Sequence, residues 1–280
     1  MPSSKETTEK TAKTAPSPPP SQSPTPIPTT ATNDLVTTMS LEQVLRALGL
    51  DHAASLLDAA TSKAIARNDS PTSLLDQLMR ENLRVQTERR AQMALKRSAI
   101  FPLTTLDSYD FDYPKSIDRD LVVRAAGLDF IAEKTNCVFV GPSGVGKTHL
   151  ANAIGQLACL RGHRVRFTTA ADLVNDLVAS QARNGLQRRQ ALWASFDLLI
   201  VDELGYLSFD SRGADLLYQV LNRRYQRAST IVTTNLPFKE WGKIFPSAAA
   251  ASAIADRLVH RGILVRITGK SRRSDQEIDG

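Results

Sequence analysis

The sequence predicts an α/β fold, a parallel sheet covered by helices on both faces, and three segments predict it. Each is a short apolar run that reads as a strand and closes on polar residues. Cys137-Val138-Phe139-Val140 runs into a glycine loop, Leu198-Leu199-Ile200-Val201 into Asp202-Glu203, and Ser229-Thr230-Ile231-Val232 into Thr233-Thr234-Asn235. Apolar runs without alternation suit strands buried on both faces, and α/β sheets gather their ligands at the carboxyl ends of such strands.

The first segment leads into Gly141-Pro142-Ser143-Gly144-Val145-Gly146-Lys147-Thr148, followed by a helix-forming run from His149 to Leu160. This is a Gly-x-x-x-x-Gly-Lys-Thr loop in the strand–loop–helix setting its chemistry requires. Glycines let the backbone curl so that its N–H groups converge on phosphate oxygens, and the helix N-terminus adds a favourable dipole. Lys147 is expected at the β- and γ-phosphates and the Thr148 hydroxyl on Mg²⁺. The loop therefore implies binding of a nucleoside triphosphate.

In the second segment Asp202 is expected to hold the Mg²⁺ shell, and Glu203 is placed to polarise an attacking water as general base. A kinase of small molecules excludes water from that position, so the adjacent carboxylate favours hydrolysis. In the third, Thr234 or Asn235 is expected to hydrogen-bond the γ-phosphate or the attacking water. Together the three describe a hydrolytic P-loop ATPase with an extra strand between the loop strand and the Asp-Glu strand. Two further runs complete the prediction: five parallel strands near 136–140, 165–168, 197–202, 230–234 and 263–267, with helices between them.

A chain of 280 residues with 42% apolar content has room for one sizeable domain and a smaller attachment. Cys137 and Cys159 lie in apolar surroundings without metal-ligand spacing, and read as reduced thiols of a cytosolic protein. No apolar stretch reaches the roughly 18 residues of a membrane span. The net charge of +6 fits contact with nucleic acid.

Residues 1–38 are rich in Pro, Ser and Thr and are expected to be a disordered tail. Residues 39–100 are expected to form a small all-helical domain: Leu41, Val44, Leu45 and Leu48 recur at helical spacing, and Ser70-Pro71 reads as a helix start. That second helix turns basic, with Arg80, Arg84, Arg89, Arg90, Lys96 and Arg97. Such a run is either a solvated face or a contact with the backbone of duplex DNA. Residues 101–280 are expected to form the ATPase domain.

With these segments in view the chain resembles the IstB-like ATPases, transposition helper proteins of insertion sequences in the DnaC/DnaA-related branch of the AAA+ superfamily. The resemblance runs from about Leu41 to Arg273. It rests on Lys147-Thr148-His149-Leu150-Ala151, Asp202-Glu203-Leu204-Gly205-Tyr206-Leu207, Asn222-Arg223-Arg224-Tyr225, Thr234-Asn235-Leu236-Pro237-Phe238, Ala255-Asp256-Arg257-Leu258 and Gly269-Lys270-Ser271-Arg272-Arg273.

The resemblance implies an AAA+ fold and nucleotide contacts from Gly141 through His149. It places Asn235 as sensor 1 and Arg257 as an arginine finger reaching a neighbouring subunit's ATP; the plainer reading of Arg257 is a surface pair with Asp256. Phe111 falls where the family places an entry segment near the adenine, or is a core aromatic. A helical insertion from Ala171 to Phe196 carries Arg183, Arg188 and Arg189, which either line a DNA path inside an oligomer or form an exposed face. Arg272 stands where the family usually has an aromatic. The chain ends soon after its last strand, which predicts no helical lid. Implied partners are duplex DNA, the transposase of the same element and further copies of the chain. The alternative is a DnaC-like loader of a replicative helicase, which shares the same core.

Overall fold

A computed structural model of the chain describes residues 37–113 and 116–269. The Pro-rich tail up to residue 36, together with Arg272 and Arg273, lies outside the described residues. The chain divides into two compact units between Leu78 and Met79.

The first unit is helical. Helix α1 (Leu41–Ala47) starts at a capping box, where the Ser40 hydroxyl accepts from the Gln43 N–H and the Gln43 side chain accepts from the Ser40 N–H. Helix α2 (Asp51–Arg67) stops at Asn68 in the left-handed conformation, a residue type that tolerates it. Helix α3 (Pro71–Ser98) begins at the expected Ser70-Pro71 step, with the Ser70 hydroxyl accepting from the Ser73 N–H. Small residues, Ala53, Ala54 and Ala64, supply much of what this unit buries.

The second unit holds the rest of α3 and a six-stranded sheet. In chain order its elements are β1 (Ser116–Ile117), α4 (Arg119–Gly127), α5 (Asp129–Ala132), β2 (Cys137–Val140), α6 (Lys147–Leu160), β3 (Val165–Thr169), α7 (Ala170–Ala182) and α8 (Leu186–Ala194). They continue as β4 (Leu198–Leu204), α9 (Ser211–Arg224), β5 (Ser229–Thr234), a 3₁₀ turn over Phe238–Lys243, α10 (Ala248–Val259) and β6 (Ile263–Thr268). The strand order is β1-β6-β2-β5-β4-β3, parallel except for β1, which pairs antiparallel with β6. The sequence predicts five strands and the structure has a sixth: two residues carry no periodicity from which β1 could be read. As expected, β5 lies between the loop strand β2 and the Asp-Glu strand β4.

Every residue of β5 is buried, and β2 and β4 are buried almost throughout. Successive side chains point to opposite faces, so each strand feeds two cores. Phe139, Ile200, Ile231 and Val265 pack under α6 with Leu150 and Ile154. Val138, Val201 and Val232 pack on the other face with Leu173 and Leu177 of α7, Leu217 of α9 and Trp241. This double burial fixes the strand ends, and the site is built on those ends.

Candidate nucleotide site

A cleft of about 700 Å³ opens at the carboxyl ends of β2, β4 and β5. Its floor is the loop from Gly141 to Thr148. Gly144 and Gly146 adopt positive φ of 80° and 88°, the left-handed region open to glycine at little cost. A Cβ at Gly146 would meet Cε2 of Tyr109 at 2.5 Å, and one at Gly141 would meet the Ile267 carbonyl oxygen at 2.3 Å. Gly146 is thus demanded both by its backbone conformation and by a close neighbour, and Gly141 by a close neighbour alone. Val145 is buried in the core, and its carbonyl accepts from the Tyr109 hydroxyl at 2.9 Å. Lys147 donates to the carbonyls of Gly141 and Pro142 at 2.8 and 2.6 Å, which turns its ammonium back across the loop.

Thr148, in the first turn of α6, lies with its hydroxyl 3.0 Å from both carboxylate oxygens of Asp202. Asp202 is buried, and the Thr233 hydroxyl donates to its Oδ1. The same Thr233 oxygen accepts from the Glu203 N–H at 3.0 Å. Val201 pairs with Val232 and Leu204 with Thr234, so Asp202 and Glu203 together oppose Thr233 alone. This is a β-bulge, and bulges re-aim side chains next to sites. Glu203 takes a left-handed φ of 58°, and its exposed side chain lines the cleft while Asp202 stays buried. Thr234 and Asn235 both line the cleft, Thr234 with its side chain buried and hydrogen-bonded to Leu236.

Part of the lining comes from the segment between α3 and β1. Pro102 and Thr104 of that segment line the cleft together with His149 and Asn152 of α6. Thr104 donates to the His149 carbonyl at 3.0 Å, and the His149 ring lies 3.2 Å from the Ser108 hydroxyl and 3.1 Å from the Thr105 carbonyl. Phe111 does not line the cleft: it packs against the core, edge-on to Tyr109 at 4.9 Å and under the Arg119 guanidinium at 5.0 Å. The wall-formers Pro102, Thr104, Asn152 and Thr233 escaped the sequence reading. Their only sequence signal was proximity to the loop and to the Thr-Thr-Asn strand end.

Arg257 lies at the other end of the sheet. Its guanidinium donates to Asn222 Oδ1 and to the Ala253 carbonyl, both at 2.9 Å, and sits 4.5 Å from the Tyr218 ring centre. Its carbonyl accepts from Asn136, just before β2 begins, whereas the cleft starts where β2 ends. At strand rise that is roughly 15 Å or more. Among the described residues it forms no ion pair with Asp256.

The candidate DNA-contacting arginines fall into two groups. Arg84 is bridged to both Glu81 and Glu88 at 2.7 Å, and Arg189 is bridged to Asp176 and lies over Trp193. Burial raises the Asp176 pKa, but the hydrogen bonds from Arg189 and Trp193 outweigh it and hold that carboxyl below its ordinary value. Arg89, Arg90, Lys96 and Arg97 are exposed along the end of α3, and Arg183 and Arg188 are exposed where α7 turns into α8. No described helix is long and apolar enough to cross a membrane.

Residues 43–279 match the family described as IstB-like ATP binding protein. The insertion sequence IS5376 ATP-binding protein of Geobacillus stearothermophilus is 37% identical over 215 residues, covering 77% of this chain and 86% of the relative. The insertion sequence IS21 ATP-binding protein of Pseudomonas aeruginosa is 34% identical over 233 residues, covering 83% and 88%. Among solved structures, AMPPCP-bound DnaA from Aquifex aeolicus aligns with a TM-score of 0.50 at 23% identity, over 60% of this chain and 51% of that one; the likeness is one of fold.

Proposed function

The chain belongs to the IstB-like ATP-binding family and is an ATPase, and from that premise we propose that it assembles on duplex DNA in an ATP-dependent manner and regulates transposition by recruiting or activating the transposase of its own element. The observation that carries the reading is the relatives' origin: ATP-binding proteins of insertion sequences match over most of their own length.

In this reading Lys147 leaves the loop carbonyls for the β- and γ-phosphates, and the loop N–H groups hold their oxygens. Thr148 and Asp202 present an oxygen-only donor set at one point, which suits a hard divalent cation. Mg²⁺ held there would neutralise charge on the phosphate oxygens. Glu203 takes the proton of the attacking water, and Asn235 orients that water or the γ-phosphate. Arg257 points away from its own cleft and acts on a neighbour's, so hydrolysis depends on assembly.

DNA contact is assigned to Arg89, Arg90, Lys96 and Arg97 first, with Arg183 and Arg188 second. Residues seven apart share a helix face, so Arg89 with Lys96 and Arg90 with Arg97 present paired cations two turns apart. The charges of Arg84 and Arg189 are compensated by carboxylates and contribute less.

Fluorescence anisotropy of labelled duplex and single-stranded DNA, with ATP, with ADP and without nucleotide, tests the proposal. Expected is salt-sensitive duplex binding that requires ATP and disappears in Lys147→Ala. A preference for single strands, or DNA binding indifferent to nucleotide, would overturn it in favour of a loader.

A further inference from the structure

The phosphate loop is gripped from the side away from the cleft. Tyr109, in the segment between α3 and β1, is 8% exposed and does not line the cleft. Its hydroxyl donates to the Val145 carbonyl at 2.9 Å, and its ring fills the space that a Cβ at Gly146 would need. The segment carrying it is fastened to the first turn of α6, through Thr104 on the His149 carbonyl and the His149 ring beside Ser108 and Thr105. The His149 and Tyr109 ring centres lie 5.5 Å apart. Tyr109 therefore stands on a support fixed to the same helix that the loop feeds.

The carbonyl of Val145 and the N–H of Gly146 belong to one planar trans peptide unit, so they point in opposite directions. With its carbonyl held by Tyr109 on the buried side, the unit turns the Gly146 N–H toward the cleft that Gly146 lines. No acceptor among the described residues takes that N–H. Backbone sterics do not fix this orientation. Rotating the unit would change ψ at Val145 and φ at Gly146, and glycine accepts either sign of φ. We infer that Tyr109 is a positioning residue for the nucleotide: its hydroxyl locks the 145–146 peptide so that the Gly146 N–H is presented to a phosphate oxygen before any nucleotide arrives. The inference rests on the loop being the phosphate site, as read above. It gives Tyr109 a share of nucleotide affinity without contact with the nucleotide, because a donor already in place has less freedom to lose on binding.

Tyr109→Phe removes the hydroxyl and keeps the ring. Titration calorimetry with ADP reads affinity and the number of sites separately, with no hydrolysis intervening. Expected is an ADP Kd about tenfold above the parent's with the site number unchanged, the scale of one misdirected hydrogen bond to a charged group. In steady state KM for ATP should rise by a similar factor while kcat stays within about twofold, because a loop N–H holds the phosphate alike in ground and transition states. A residue that only holds the fold together would act the other way. Part of the protein would then be unfolded, and site number and kcat would fall with Kd and KM unchanged. That result, or parent-like values throughout, would overturn the assignment. Lys147→Ala separates the two levels. It should weaken ADP binding, and parent-like binding there would overturn the loop as the phosphate site and this inference with it. Weakened binding in Lys147→Ala beside parent-like binding in Tyr109→Phe would overturn the inference alone.

Discussion

Glu203 occupies a backbone conformation that a non-glycine residue avoids. Its φ of 58° costs about 1 kcal/mol, and it persists because the bulge and the Glu203 N–H bond to Thr233 hold it. The return is position, since the carboxylate enters the cleft while the neighbouring Asp202 stays buried beside Thr148. Two substitutions separate strain from chemistry. Glu203→Gln keeps the backbone and should bind ATP like the parent, while hydrolysis falls by about a hundredfold or more. Glu203→Gly should lose hydrolysis equally yet be more stable in urea unfolding, by about 0.5–1 kcal/mol, because glycine adopts this φ freely. A glutamine variant that turns over ATP like the parent would remove Glu203 as the base. A glycine variant no more stable than the glutamine one would remove the strain.

Arg224 joins elements rather than touching the cleft. From the last turn of α9 its guanidinium donates to the carbonyls of Trp193, Ala194 and Phe196 at the end of α8, and to the Ser229 carbonyl and Thr230 hydroxyl at the start of β5. Burial pushes its pKa down to about 9, which leaves it charged at pH 7. One side chain thus ties the helical insertion to the strand that ends at Asn235. Arg224→Met removes the charge and strands those buried carbonyls, so urea unfolding should show a loss of about 3–5 kcal/mol; a loss under about 1 kcal/mol would mean the carbonyls find other donors. The sequence shows Arg223 and Arg224 side by side without saying that one is exposed and the other buried, because three of the acceptors of Arg224 come from some thirty residues earlier in the chain. The P-loop was legible because its chemistry is contiguous: glycines, lysine and threonine act through neighbouring backbone. The strand identities were legible because buried parallel strands are apolar throughout. The bulge was not, since an extra residue in β4 exists only relative to β5, and neither were the contacts of Asn152, whose partners lie some fifty residues earlier in the chain.

Arg257 poses the question that involves more than one chain. Two rings, Asn222 and a helix carbonyl hold its guanidinium at the opposite end of the sheet from the cleft, so it can serve no phosphate of its own subunit. That orientation suits a head-to-tail assembly, where one subunit's far end meets the next one's cleft. The proposed role then predicts complementation. Lys147→Ala lacks nucleotide but keeps its arginine; Arg257→Ala keeps the cleft but lacks the arginine. Each alone should hydrolyse ATP slower by about a thousandfold, the scale of an arginine finger. Mixed in equal amounts, about a quarter of the interfaces would pair an intact cleft with an intact arginine, and activity should recover toward that fraction. Unfolding of Arg257→Ala at the parent's temperature would exclude collapse of the rings around the missing side chain as the cause. If the two proteins co-assemble and no activity returns, Arg257 acts within its own chain as a packing residue, and the dependence of hydrolysis on assembly must come from elsewhere.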